Sequence, residues 1–155
     1  MGVIRSWRES LKIDIDYISK LLNTIIESPA AHIDYHAWEK AGVQISSKEN
    51  SNKFDEQFIF HIQLLLENRL LSNRELEAYS LNDLGISFNK SFDSIIDVPI
   101  RLTQNGHNFA NALKNKEVLL KLKTELKDAP FKVVFEGSQK LLQHFFKKKI
   151  DSLIE

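Results

Sequence analysis

Apolar residues return every three or four positions between residues 14 and 27, at Ile15, Ile18, Leu21, Leu22, Ile25 and Ile26. That spacing puts them on one face and predicts an amphipathic helix over 14–27. Asp14 can cap its first turn, Asp16 sits against its positive end, and Ser28-Pro29 stops it. From 32 to 38 the period falls to two, with Ile33, Tyr35 and Ala37 on one side and His32, Asp34, His36 and Trp38 on the other. This alternation predicts a short strand. Residues 46–53 form a polar loop. Over 55–68 the stripe Phe58, Ile59, Ile62, Leu65 and Leu66, continued by Leu70, predicts a second helix, closed by Asn68 in the left-handed conformation.

Leu70 and Leu71 open an extended segment, residues 72–97 are polar and poorly patterned, and 98–102 read as a strand. Thr103 caps the next helix, which carries Phe109, Ala110 and Leu113. Asn115 interrupts it and caps a continuation through Val118, Leu119, Leu122 and Leu126. Asp128-Ala129-Pro130 opens a final helix over 130–153, with proline tolerated in the first turn. The five residues from Phe131 to Phe135 fit a strand as well as a helix. The pattern as a whole predicts a mainly α fold with a small antiparallel β-sheet, of the α+β class. A chain of 155 residues reads as a single domain, with a core over 11–113 and a C-terminal helical extension over 114–155.

Composition narrows the chemistry. Hydrophobic residues at 43% and charged residues at 27% argue against disorder. The absence of cysteine excludes a disulfide, a thiolate metal site and a cysteine nucleophile. No uninterrupted apolar region follows the first eleven residues, and no stretch approaches the roughly 18 apolar residues of a membrane span. A cytoplasmic protein without a membrane partner is the expectation.

The net charge is zero but unevenly spread. Residues 55–97 hold eight acids against Arg69, Arg74 and Lys90, a net of −5. Residues 114–149 hold ten lysines against four acids, a net of +6. An acidic middle and a basic end bear on partners rather than on fold.

Candidate chemistry is sparse. His32, Asp34 and His36 share one face of the expected strand, and imidazole with carboxylate at that spacing suits zinc or iron. The opposing account, an exposed polar edge, carries more weight because no further ligand set accompanies them, so no metal is expected. His61 lies within an apolar helix and His107 opens another, positions where histidine is more often structural than basic. There is no nucleophile elbow and no glycine-rich phosphate loop, and Asp14 and Asp16 diverge on a helix. These absences point away from an enzyme, a cofactor or a small-molecule substrate.

Two stretches carry a resemblance. Glu56, His61, Ile62, Leu65 and Leu70 follow E-x-x-x-x-H-[LI]-x-x-L-x-x-x-G-L-[IV], with Leu71 at its last position, similar to the recognition-helix segment of bacterial winged-helix proteins. Leu102, Thr103, Gly106, His107 and Phe109 follow L-T-x-x-G-H-x-F, which closes the wing and opens the next helix in such proteins. With Ile13-Asp14-Ile15-Asp16 and the tail Lys147-Lys148-Lys149, the chain resembles a widespread bacterial and phage domain of unknown function found in prophages and mobile islands. The resemblance implies a winged-helix-like core and no established activity. Arg69 departs from the pattern, standing where glycine ends the helix, and 72–97 is longer than a minimal wing.

DNA binding is the default for that fold, yet the exposed side of 55–68 offers Asp55, Glu56, Gln57, Gln63, Glu67 and Asn68, with no lysine or arginine. The expected function is therefore a non-catalytic interaction module, an accessory factor binding a protein partner or forming a homo-oligomer. A DNA-binding transcriptional regulator of a prophage or mobile element is the alternative. The expected contact surface is Leu142, Phe145, Phe146, Lys147, Lys148, Lys149, Ile150 and Leu153 on the last helix, whose apolar face is wider than a packing seam needs.

Overall fold

A computed structural model describes residues 11–154. Helix α1 (Ile15–Ile26) begins where Asp14 accepts the Tyr17 backbone N–H at 3.0 Å, and it buries Ile15, Ile18, Leu21, Leu22 and Ile25. The segment 32–38 is not the expected strand. Ile33 alone pairs, through an antiparallel bridge to Ile100. The chain then turns into a short helix, α2 (Tyr35–Lys40). Asp34 caps it by accepting the Ala37 N–H at 3.0 Å. Tyr35 and Trp38 are both buried, and three residues apart they share a helical face, whereas a strand would send them to opposite sides. Trp38 Nε1 also donates to the Leu21 carbonyl at 3.0 Å, tying α2 to α1.

Helix α3 (Glu56–Glu67) is capped by Asp55 and buries the expected stripe together with His61. Its closure differs from expectation by one residue. Asn68 stays at φ −90°, and Arg69 takes the left-handed conformation at φ 61°. The Arg69 N–H donates to Leu66 at 3.0 Å and the Leu70 N–H to Leu65 at 2.9 Å, so two orphan carbonyls at the helix end are satisfied. Arg69 thus occupies the backbone position that favours glycine, and its guanidinium lies 4.6 Å from the Tyr79 ring centroid.

Strand β1 (Leu71–Asn73) follows directly. The segment after it has more structure than its composition suggests: a 3₁₀ turn (Leu81–Leu84), strand β2 (Ile86–Phe88) and strand β3 (Asp93–Ile95). Strands β2 and β3 form an antiparallel hairpin, pairing Ile86 with Ile95 and Phe88 with Asp93. Gly85 sits at φ 81°, and a Cβ there would lie 2.0 Å from the Ile96 carbonyl oxygen. Strand β4 (Ile100–Leu102) returns to pair antiparallel with β1, Leu71 opposite Leu102 and Asn73 opposite Ile100.

Helix α4 (Gln104–Lys114) starts at Thr103, whose hydroxyl accepts the Gly106 N–H at 3.0 Å while its own N–H donates to Leu70 at 3.0 Å. A Cβ on Gly106 would meet the Leu70 carbonyl oxygen at 2.1 Å, so only glycine lets the helix start this close to the β1 entry. Asn115 ends α4 and caps α5 (Lys116–Glu125), accepting from Glu117 and Val118. Helix α6 (Phe131–Ile154) is helical from its first residue, which settles the segment from Phe131 to Phe135 as helix. One hydrophobic cluster runs from Ile15 in α1 to Val134 in α6. The fold is α+β: mainly helical, with two small antiparallel sheets.

Candidate interaction surface

The first half of α6 completes the core. Phe131 and Phe135 each stand 5.5 Å from the Phe109 ring of α4, Val134 and Ser138 are buried, and Gln139 Nε2 donates to the Asn108 carbonyl at 3.1 Å. Gln139 and Ser138 also share a hydrogen bond, so the polar groups of this contact are satisfied. Leu141, Leu142 and Phe145 pack partly against the cluster. Beyond them no apolar side chain packs against the cluster among the described residues, and every residue from 146 to 153 is exposed, as is Ile154.

That free end is not polar. Phe146 is 53% exposed, Ile150 54%, Leu153 76% and Ile154 76%. At about 100° of rotation per residue, Leu142, Phe146, Ile150, Leu153 and Ile154 fall in one stripe about 120° wide. Lys147 and Lys149 border the stripe on its two sides, and Lys148 faces away from it. Twelve residues, 143–154, extend for roughly 18 Å at 1.5 Å per residue. Covering each large side chain of the stripe is worth about 1.5–3 kcal/mol, so an uncovered stripe is costly in water. An apolar stripe framed by lysines is complementary in character to an apolar surface framed by acids.

A surface of that kind exists on this chain. Glu56, Gln63 and Glu67 are exposed and repeat at seven and four residues, so they line one face of α3, with half-buried Phe60 beside them. The β2–β3 hairpin stands alongside. Between them lies a shallow groove of about 410 Å³, lined by Ile59, Glu56 and Gln63 of α3, by Phe88, Asn89 and Asp93 of the hairpin, and by Lys53 and Phe54. Phe54 and Phe88 meet edge to face at 5.9 Å and form its apolar floor. The hairpin is held there by Asp93, which accepts the Phe54 N–H at 3.0 Å and pairs with Lys53 at 3.7 Å. Lys53 is thereby neutralised and Glu56 is left as the open charge of the groove. Phe88, Phe92 and Ile96 expose further apolar surface on the hairpin, at 54%, 52% and 68%.

The residues singled out from sequence separate into three groups. Phe146, Lys147, Lys148, Lys149, Ile150 and Leu153 lie on the free end of α6, and Leu142 and Phe145 lie at its base against the body. His32, Asp34 and His36 do not share a strand face: Asp34 is spent as a helix cap, and His36 is exposed on α2. His32 and Asp34 line a separate polar hollow of about 330 Å³ with Arg74, Asp97 and Pro99. Among the described residues no group of three or more histidine, aspartate or glutamate side chains is placed to hold a metal ion.

His61 is fully buried and works as a joint. Its Nδ1–H donates to the Gln57 carbonyl at 2.8 Å, and its Nε2 accepts the Asp14 N–H at 2.9 Å, linking α3 to the start of α1. The Tyr17 ring lies 4.7 Å away. Burial holds its pKa below the usual histidine value, outweighing the Gln57 carbonyl and the Asp14 charge, which favour the protonated ring. The groove, by contrast, was invisible in the sequence, because it forms only when the hairpin at 86–95 swings beside α3. The signal available for it was Ile86 and Phe88, two residues apart in the poorly patterned segment 72–97.

No helix among the described residues is long and apolar enough to cross a membrane. No protein-family model, curated protein or solved structure matches the chain.

Proposed function

We propose that this protein is a non-catalytic interaction module: a winged-helix-like core that presents the end of α6 as a docking arm for a protein surface. One observation carries the reading. Phe146, Ile150, Leu153 and Ile154 form an apolar stripe that the described residues leave exposed, although the first half of the same helix is closed against α4 and α5. Support for the core comes from the order of its elements: α1, the Ile33 bridge, α2, α3, β1, the β2–β3 hairpin as wing, β4 and α4. The face of α3 that would enter a DNA groove carries Glu56 and Glu67, which oppose a polyanion, so the protein-binding reading is preferred over a DNA-binding one.

The test is the double substitution Phe146→Glu/Ile150→Glu, followed by a melting curve and light scattering. A docking arm tolerates both charges: the melting temperature is unchanged and assembly is lost. If the variant melts early or fails to fold, those side chains belong to a closed core and the reading is wrong, since buried unpaired charges are poorly tolerated.

A further inference from the structure

We infer that the arm's partner is a second copy of this chain, the free end of α6 of one molecule lying in the α3–hairpin groove of the other, and reciprocally. The inference rests on the reading of α6 as an arm and adds its occupant. Charge selects it. The arm's stripe is bordered by Lys147 and Lys149. The groove is bordered by Glu56 and followed, one helical turn beyond Gln63 on the same face of α3, by Glu67. None of these charges makes a salt bridge among the described residues. Dimensions agree. Residues 143–154 and helix α3 (Glu56–Glu67) each comprise twelve residues, about 18 Å of helix. The apolar parts agree as well, since Phe146 and Ile150 would meet Ile59 and the exposed edge of Phe88.

The obvious competitor is arm against arm. That arrangement brings Lys147, Lys148 and Lys149 of two copies together along a short contact, with Asp151 the one acid of 143–154 to relieve them. Like charges directly opposed disfavour it. A stable interface covers about 800 Å² per partner, and one short helix in one groove supplies only part of that. Reciprocal exchange makes the contact twice about a twofold axis and closes the assembly as a dimer.

Two charge-reversed chains test this. The arm variant is Lys147→Glu/Lys149→Glu, and the groove variant is Glu56→Lys/Glu67→Lys. All four positions are exposed, so melting curves should match the wild type. Sedimentation of the full chain should show a wild-type dimer that weakens about tenfold or more when salt rises from about 0.1 M to about 0.5 M. Each variant alone should be monomeric, and an equimolar mixture should recover the dimer, because the acidic arm then meets the basic groove and the native arm meets the native groove. Should a reversal unfold the chain, Glu56→Gln/Glu67→Gln replaces it and should weaken the dimer without abolishing it. A groove variant that still dimerises alone overturns the inference in favour of arm-to-arm pairing. A wild type that stays monomeric while Phe146→Glu/Ile150→Glu folds normally also overturns it, and leaves the arm to a partner of another kind. Failure of the arm reading itself is distinct, because there the double glutamate variant melts.

Discussion

The two halves of α6 are built from the same kinds of residue and lie in different surroundings. Phe131, Val134 and Phe135 in the first half and Phe146, Ile150 and Leu153 in the second recur at similar helical spacing. The first set meets Phe109 and the α4–α5 pair, and the second meets water. Amphipathic periodicity therefore specifies that a face will be covered without specifying by what. The first half finds its cover within the chain because α4 and α5 run beside it. The second half carries its apolar residues exposed.

The sharpest way to break this comparison is to truncate one phenylalanine in each half. Phe131→Ala, at a site 7% exposed, should cost about 3–5 kcal/mol and lower the melting temperature by roughly 10 °C. Phe146→Ala, measured at concentrations where the chain is dispersed, should stay within about 0.5 kcal/mol of wild type. Urea denaturation of the two variants checks both. Equal losses would erase the distinction between the halves.

A smaller effect separates body from arm by pH. The His61 ring is neutral in the folded body, with its pKa held below 6.5, while the unfolded chain titrates near 6.5. The unfolded state thus binds more protons as pH falls through 6.5 towards the lowered folded value, and stability must fall with it. The stabilising contribution is fully present above about 6.5. The urea midpoint should therefore drop between neutral and mildly acidic pH, and His61→Leu should flatten that part of the profile. Because the substitution strands the Asp14 N–H, it should also cost about 1–3 kcal/mol at neutral pH. An identical pH profile in the variant would remove His61 from the account. Salt should act the other way round, leaving the body's stability nearly constant and weakening association.

The smallest effect concerns the α3 terminus. Arg69 at φ 61° carries a left-handed penalty of about 1 kcal/mol, against which its contact with Tyr79 returns roughly 0.5–1 kcal/mol. Arg69→Gly should change stability by less than about 1 kcal/mol, since glycine also adds freedom to the unfolded chain. A loss above about 2 kcal/mol on calorimetry would show that the arginine anchors more than one ring.

How far these features could be read in advance depended on how local their causes are. Asp14, Thr103 and Asn115 act on backbone groups two or three residues away, so the starts of α1, α4 and α5 were legible as caps. Helix α2 was misread as a strand because six residues are too few for helical period to outweigh an accidental alternation, and Asp34 was placed on the polar face of that strand instead of at a cap. Asn68 was favoured over Arg69 as the left-handed residue because its side chain tolerates that conformation better, but the register of the Leu65 and Leu66 carbonyls decides which residue turns. Strands β2 and β3 have three residues each, rich in serine and aspartate, and are held by long-range partners such as Asp93 to Phe54. No short-range signal encodes such a contact. The exposed apolar positions at the end of α6 recur with helical period, whereas the groove beside α3 depends on such long-range contacts.

The most direct measurement is hydrogen exchange along α6 as a function of protein concentration. A helix end without tertiary cover frays and exchanges quickly, whereas a docked one is protected. The account predicts that amides of residues 146–154 exchange fast in dilute solution and slow as concentration rises, together with those of the hairpin at 86–95, while amides in the first half of α6 stay protected throughout. An arm that is equally protected at every dilution would mean the chain covers it unaided. An arm that exchanges fast at every concentration would mean that no second copy covers it, and either result would contradict the account.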